Sequence, residues 1–429
     1  MTGKSWFLRG FVSLIASSVI AANAGNINVA AVEAHLDIQV TPTDSMSLSS
    51  QLLGYTDSAT PKAVAVANNR DGRAVTGVSV PGRTRALAAS TALAACETAR
   101  QPLASVLTHP CELILQGNEW VGTHQQLTRG ITPDSAASVW RVRGSAGVVY
   151  LAGSVHVLTP TFYPLANAFE HAFSKADRLA LELNPLLSMQ PDRMAVMRSA
   201  MVAAPDNVRH ALGEPLRSRL ADYLATQGTP LEAVLRFQPA ILSTQLSIQE
   251  MAAYGFVPQH GVDLHFAQRA TQKGMQIVEL ETIESQMRAL TGMPLEVQAK
   301  LLAQTLDQLA SAQEAVTELV TNWLTGDADH LYALMLADFK GSPVMETLGR
   351  RLIDERNIKM VQQIRSFLNE PSTTLVIVGA GHYGGSPGIL NLLRTAGFEV
   401  EQLTQAGNLL QTDQTPAVTA PPTYRRLGS

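Results

Sequence analysis

The sequence predicts an α/β fold, with a central mixed β-sheet flanked by helices and a mainly helical middle. Three observations carry that prediction. Short apolar, β-rich runs recur at Val148–Ala152, Leu179–Leu183 and Leu375–Val378. Stretches with apolar residues at helical spacing separate them. The pattern strand, Gly-x-x-His, helix, strand also occurs twice, at Gly153-Ser154-Val155-His156 and at Gly379-Ala380-Gly381-His382, more than half the chain apart.

The elements follow in order along 429 residues, enough for two or three domains. Lys4 and Arg9, an apolar run from Phe11 to Ala22, and Ala22-Asn23-Ala24 read as a signal peptide over residues 1–24. The run is shorter than the ~20 apolar residues of a spanning helix, so no stable membrane span is expected after cleavage. The expected location is exported, either periplasmic or secreted. Residues 25–95 are rich in Ala, Ser, Thr, Val, Asn and Gly without sustained period, and read as a flexible low-complexity segment. A small extension over 96–139 precedes the α/β domain at 140–405. A disordered tail at 406–429 follows, with Pro416, Pro421 and Pro422.

Within the domain, the first strand ends at Gly153 and a loop carries His156. Pro164 opens a helix whose Leu165, Ala168, Phe169, Ala172 and Phe173 share one face. The next strand reaches Glu182, giving a βαβ unit with parallel strands and both residues at the carboxyl edge of one sheet. Helical stretches fill 189–249 and 295–336. Between them Gly261-Val262-Asp263 opens a helix, and Gln276–Leu280 is a strand leading to Glu281. A charged helix over 344–368 contains Arg356 and Asn357. The last unit runs from Leu375 through Gly379, Gly381 and His382 to a helix and the strand beginning at Phe398-Glu399-Val400.

Composition narrows the chemistry. Hydrophobic residues make up 46% and charged residues 16%, which excludes wholesale disorder. A net charge of −4 argues against a nucleic-acid binder. Two cysteines, Cys96 and Cys111, exclude a Cys-rich metal framework. An oxidising compartment would let them pair across a short loop, worth about 3 kcal/mol.

One Gly-x-x-His matches many loop histidines, whereas two in equivalent positions beside a strand-end glutamate form a constellation. Imidazole and carboxylate suit a divalent metal such as Mn, Co, Zn or Fe, so His156, Glu182 and His382 are the candidate ligands. Glu281 is a further ligand, an orienting carboxylate, a general base or simply a helix-start acid. Asp263 is an orienting carboxylate or an N-terminal helix residue. Arg356 and Asn357 are candidates to hold a substrate carboxylate or developing oxyanion, or lie on a solvated helix face.

These residues also carry a resemblance. Val149 to His156, Phe162-Tyr163-Pro164-Leu165, Ala176 to Glu182, Gly261-Val262-Asp263 with Phe266, Leu280-Glu281-Thr282 with Gln286, Arg356-Asn357 with Met360, and Gly379-Ala380-Gly381-His382 with Gly384 and Gly388 occur in order. Over about Trp140 to Leu403 the chain resembles the TraB/GumN family, related to the Tiki proteins and to the erythromycin esterase/ChaN-like fold group. The resemblance implies an α/β fold and a metal site drawn from both Gly-x-x-His motifs and a glutamate. Because Tiki members are metal-dependent proteases, it further implies a hydrolase, most simply a peptidase, acting on a peptide or other small envelope substrate. The alternative is a non-catalytic envelope protein binding metal, haem, peptide or glycan.

Overall fold

The computed structural model describes residues 29–411 except 38, 57–60, 70, 72, 80–83, 338 and 341. The expected signal peptide and residues 412–429 of the expected tail lie outside the described residues.

The site is carried by a six-stranded sheet of order β10-β5-β6-β9-β7-β8. These strands are β5 (Ala136–Arg143), β6 (Val148–Ser154), β7 (Arg178–Leu181), β8 (Gln276–Glu279), β9 (Thr373–Gly379) and β10 (Val400–Thr404). β6, β9, β7 and β8 pair in parallel, whereas β5 is antiparallel to β6 and to β10, so the sheet is mixed. The α/β class expected from the sequence is the observed one.

Both faces of this sheet are covered. Tyr150, Ala152, Leu179, Leu375 and Ile377 join Phe169, Phe173, Phe266 and Trp323 in one core. Val149, Leu151, Ala180, Val376 and Val378 join Met360, Ile364, Phe367, Tyr383 and Leu393 in another. A strand buried on both sides has no wet positions, which is why these strands read as unbroken apolar runs. The helix Asn167–Lys175 turns Phe169 and Phe173 inward, each contributing roughly 1.5–3 kcal/mol by burial.

The strands of the first expected βαβ unit are not neighbours, because β9 lies between β6 and β7. The two Gly-x-x-His strands are therefore adjacent. The expected helix 344–368 is also divided, into a helix Pro343–Gly349, a π-helical turn Arg350–Asp354 and a helix Glu355–Leu368.

The expectation of a flexible segment at 25–95 is corrected. Helices Val29–Leu36 and Pro42–Thr56, strands β1 (Ala63–Asn68) and β2 (Ala74–Ser79), and a helix Arg85–Arg100 fold there. With β3 (Glu112–Gln116) and β4 (Glu119–Trp120) they build an antiparallel sheet of order β2-β1-β3-β4. Val64 and Val66 pack against Val32, Leu48, Leu52 and Tyr55. Ala63, Ala65 and Ala67 face Ala88, Ala89, Ala92 and Cys96, in the core that continues to Phe169 and Trp323. Small side chains let that helix lie close on the sheet, and the composition that read as low complexity is the one that close packing requires. The expected boundary between residues 95 and 96 falls inside the helix Arg85–Arg100. The layer is tied to the helical middle by an ion pair of Arg85 with Glu250 and by Gln313 Nε2 donating to the Trp120 carbonyl at 2.6 Å.

Cys96 and Cys111 are joined, with Cα atoms 6.1 Å apart and a sequence separation of 15. Opening a loop of this length is expected to cost about 3 kcal/mol. Reduction, or the Cys96→Ala/Cys111→Ala double variant, should lower the urea midpoint accordingly. Two thiols that alkylate without reductant, or a midpoint indifferent to reductant, would refute the bond's contribution.

Candidate functional site

The register of β6 and β9 sets Ser154 opposite Gly379. Both histidine loops leave the sheet at one level, bringing His156 and His382 to its carboxyl edge, where open α/β sheets build their sites. β7 lies on the other side of β9, with Leu181 opposite Ile377, so Glu182 emerges beside them. Its Oε1 accepts from the Gly379 N–H at 2.5 Å. Glu281 follows β8, and its N–H donates to the Glu182 carbonyl at 3.0 Å.

Gly379 is at the centre of the arrangement. A Cβ there would lie 3.2 Å from Glu182 Oε1, 3.3 Å from His156 Nε2 and 3.6 Å from His382 Cδ2. The three side chains thus border the space a side chain at 379 would fill, and glycine leaves it open. At Gly381 a Cβ would overlap the Met335 side chain packed on the His382 loop, so that methionine would have to move.

His382 is only 4% exposed, and its Nδ1 lies 2.6 Å from Asn357 Oδ1. Asn357 Nδ2 donates to the Pro387 carbonyl at 2.9 Å, so the amide oxygen is the atom facing the ring. That network assigns the proton to Nδ1 and the lone pair to Nε2. Burial lowers the His382 pKa to about 4, keeping the ring neutral. Its Nε2 stands 3.8 Å from Glu182 Oε1.

His156 is held in the same way but is open to solvent, its side chain 49% exposed. Its Nδ1 lies 3.1 Å from Asp263 Oδ1, which also accepts from Ser154 Oγ at 2.9 Å. Loss of water around the ring acts to lower its pKa. The charge and hydrogen bond of Asp263, joined by Glu182, outweigh this and raise it. Asp263 is in the first turn of the helix Val262–Gln272.

Arg356 ties the carboxylates together. Its Nε donates to Glu281 Oε1 at 2.9 Å and Oε2 at 3.0 Å. Its Nη2 donates to Glu281 Oε2 at 2.6 Å and to Glu182 Oε2 at 2.7 Å, and its Nη1 to the Leu352 carbonyl at 3.0 Å. Burial alone would raise the Glu182 pKa, but Arg356 and then His382 and His156 draw it down to about 2.

This geometry engages three residues whose roles the sequence left open. Arg356 spends all three guanidinium nitrogens on internal acceptors, and fully buried Asn357 spends its amide on His382 and Pro387. Both side chains are thus engaged inside the protein, one on the two carboxylates and the other on the His382 ring. Glu281, with a side chain 4% exposed and bound to Arg356, is not a free base facing the open space. His265 packs against Tyr163, with ring centroids 4.5 Å apart, beside Arg269.

Among the described residues, no three His, Cys, Asp or Glu side chains are arranged at metal-binding spacing. Glu182 has one oxygen on Gly379 and the other on Arg356. The donor chemistry nevertheless fits a divalent cation. His156 Nε2 borders the space at Gly379, His382 Nε2 stands 3.8 Å from Glu182 Oε1, and each ring is held on its Nδ1 side by an oxygen acceptor, as in metal-ligating histidines.

Several supporting residues escaped the sequence reading. Ser154 was visible inside the first motif. Trp323, whose Nε1 donates to the Gly153 carbonyl at 2.8 Å, and Tyr383, whose hydroxyl donates to the Ala152 carbonyl at 3.0 Å, had no local signal.

The chain is 26% identical over 187 residues to "Metalloprotease TIKI2" of Danio rerio, covering 38% of this chain and 36% of that protein. It is 22% identical over 289 residues to an uncharacterized protein of Treponema pallidum (strain Nichols), covering 62% of this chain and 84% of the other. No solved structure matches it significantly. The TraB/PrgY/gumN family profile spans residues 138–402, from β5 through both Gly-x-x-His motifs to β10, and the chain belongs to that family.

Proposed function

We propose that this protein is an exported metal-dependent hydrolase and, within that class, a peptidase. The observation that carries the reading is the pair of imidazoles fixed by Asp263 and Asn357, with His156 Nε2 at the space beside Glu182 and His382 Nε2 3.8 Å from Glu182 Oε1. His156 and His382 would hold a divalent metal through Nε2 and Glu182 through Oε1. When bound, such a metal lowers the pKa of water and polarises a carbonyl. Asp263 and Asn357 keep the two rings oriented, while Arg356 keeps Glu182 ionised in a buried place. Half-exposed His156 marks the side open to substrate.

The peptidase reading is supported by the similarity to a metalloprotease, of which the chain spans about a third. Export is supported by the signal-like first 24 residues and by the Cys96–Cys111 disulfide, since such bonds persist in oxidising compartments. No helix among the described residues is long and apolar enough to cross a membrane.

Metal analysis of freshly purified protein, followed by peptide-library cleavage with and without EDTA, tests the reading. Bound divalent metal and cleavage that EDTA stops and added metal restores are expected. Metal-free protein whose cleavage ignores EDTA would defeat it, and stoichiometric metal without cleavage would favour a binding protein.

A further inference from the structure

We infer that the chain carries a second binding site, an aromatic cavity that takes up one phenolic ring, apart from the sheet edge described above. It depends on neither the metal nor the peptidase reading.

The cavity has a volume of about 130 Å³ and lies where three parts of the chain meet. His124 and Thr128 come from the segment before the sheet that carries the site, Phe162 and Phe169 follow the first Gly-x-x-His motif, and Trp323 belongs to the helix Ala312–Leu324. Phe162, Phe169 and Trp323 are buried, and their rings are inclined to one another, with centroids 6.4 Å apart for Phe162 and Trp323 and 5.7 Å apart for Phe169 and Trp323. Inclined aromatic walls favour a further ring, set edge-on or offset. Exposed Pro164 and half-buried His124 mark the mouth. Protein interiors leave few voids larger than a water, and an apolar one of roughly 150 Å³ is enough to hold benzene. The space therefore suits a single six-membered ring.

Two polar groups on the wall ask for a hydroxyl on that ring. Gln405 Nε2 donates to the Ala136 carbonyl at 2.7 Å and to the Leu324 carbonyl at 2.6 Å, which leaves its Oε1 without a donor among the described residues. The hydrogen bonds of His124 are made by its backbone: its N–H donates to Glu112 Oε2 at 2.8 Å, and its carbonyl accepts from Thr128 Oγ1 at 2.8 Å. Its ring stands edge-on to Phe162, with centroids 4.8 Å apart. Burial, with His109 nearby, lowers its pKa to about 4, so the imidazole is neutral and offers one N–H and one lone pair. The hydroxyls of Thr128 and Ser138 do not compete, since they donate to the His124 and Trp323 carbonyls. Aromatic walls with an unpaired acceptor and an unpaired imidazole match an aromatic ring bearing one O–H.

His124 and Gln405 both lie outside the family profile, which spans residues 138–402. The flanks of this chain thus supply the polar contacts, and the shared domain supplies the aromatic floor.

Titration calorimetry on the full mature chain with phenol, benzene and N-acetyltyrosinamide tests the inference. Phenol is expected to bind saturably at one site and at least ten-fold more tightly than benzene. Ala166 lines the cavity, so Ala166→Leu should fill it and abolish phenol binding. The His124→Phe/Gln405→Met double variant keeps the apolar walls and should bind phenol no better than benzene. Circular dichroism establishes that the variants fold, and the comparison of phenol with benzene on the wild type needs no variant. N-acetyltyrosinamide separates two sources of the ring: binding as tight as that of phenol assigns the cavity to a tyrosine side chain of a peptide, and exclusion assigns it to a free phenol. Absence of saturable phenol binding, benzene bound as tightly as phenol, or phenol binding unchanged in folded Ala166→Leu overturns the inference, as does a phenol preference that survives in the folded double variant.

Discussion

If His156 and His382 hold the proposed metal, alanine at either is expected to strip it, with affinity falling by more than the about 10–100-fold that losing an orienting partner costs. Each substitution removes an Nε2 donor that the neighbouring residues do not replace. Glu281 is held on Arg356, and Asp263 points its Oδ1 at Ser154 and at the far side of the His156 ring. The two variants should differ in stability. His156 is half exposed, so its loss should cost the fold little. His382 is 4% exposed, and its removal leaves Asn357 Oδ1 buried without its partner, an expected cost of about 1–3 kcal/mol. Metal content measured beside circular dichroism and urea melts decides the matter. Wild-type metal binding in both folded variants would refute a shared site, whatever the activity showed.

The second large effect is expected at a residue that never touches the metal. Asn357→Leu keeps the volume but removes the oxygen that holds the Nδ1 proton of His382, and with it the reason that Nε2 carries the lone pair. Metal affinity should fall by about 10–100-fold although every ligand is present. Asn357→Asp retains an acceptor while losing the donor to Pro387, and should keep more of the affinity. The ring nitrogen shifts of His382 in the ¹⁵N spectrum report the tautomer directly. A purely structural role for Asn357 would lower the melting temperature of the Leu variant and leave those shifts, and metal affinity in the surviving folded protein, unchanged.

Both effects depend on how a distant part of the chain arrives at the two loops. The sequence by itself determined the α/β class, the strands around Tyr150, Ala180 and Val376, and the position of each Gly-x-x-His and of Glu182 at a strand end. These are local facts, since a buried strand must be continuously apolar and a chain leaving it at glycine must turn. It did not determine that β9 inserts between β6 and β7, which is what makes the two histidine strands neighbours. Nor did it show that Arg356 faces two glutamates or that Asn357 faces a histidine. Arginine and asparagine on a charged helix have the same composition and period whether their side chains meet solvent or acids brought from 75 and 174 residues away. The alanine-rich first layer hid itself for a related reason. Ala63, Ala65, Ala89 and Ala92 carry little hydrophobic signal one by one, and only the close approach of helix to sheet turns them into a core. Periodicity and end signals act within one element and are written along the chain. Strand order and the partners of buried charges are set by which faces pack together, a choice made between segments far apart in sequence and therefore decided only in the folded molecule.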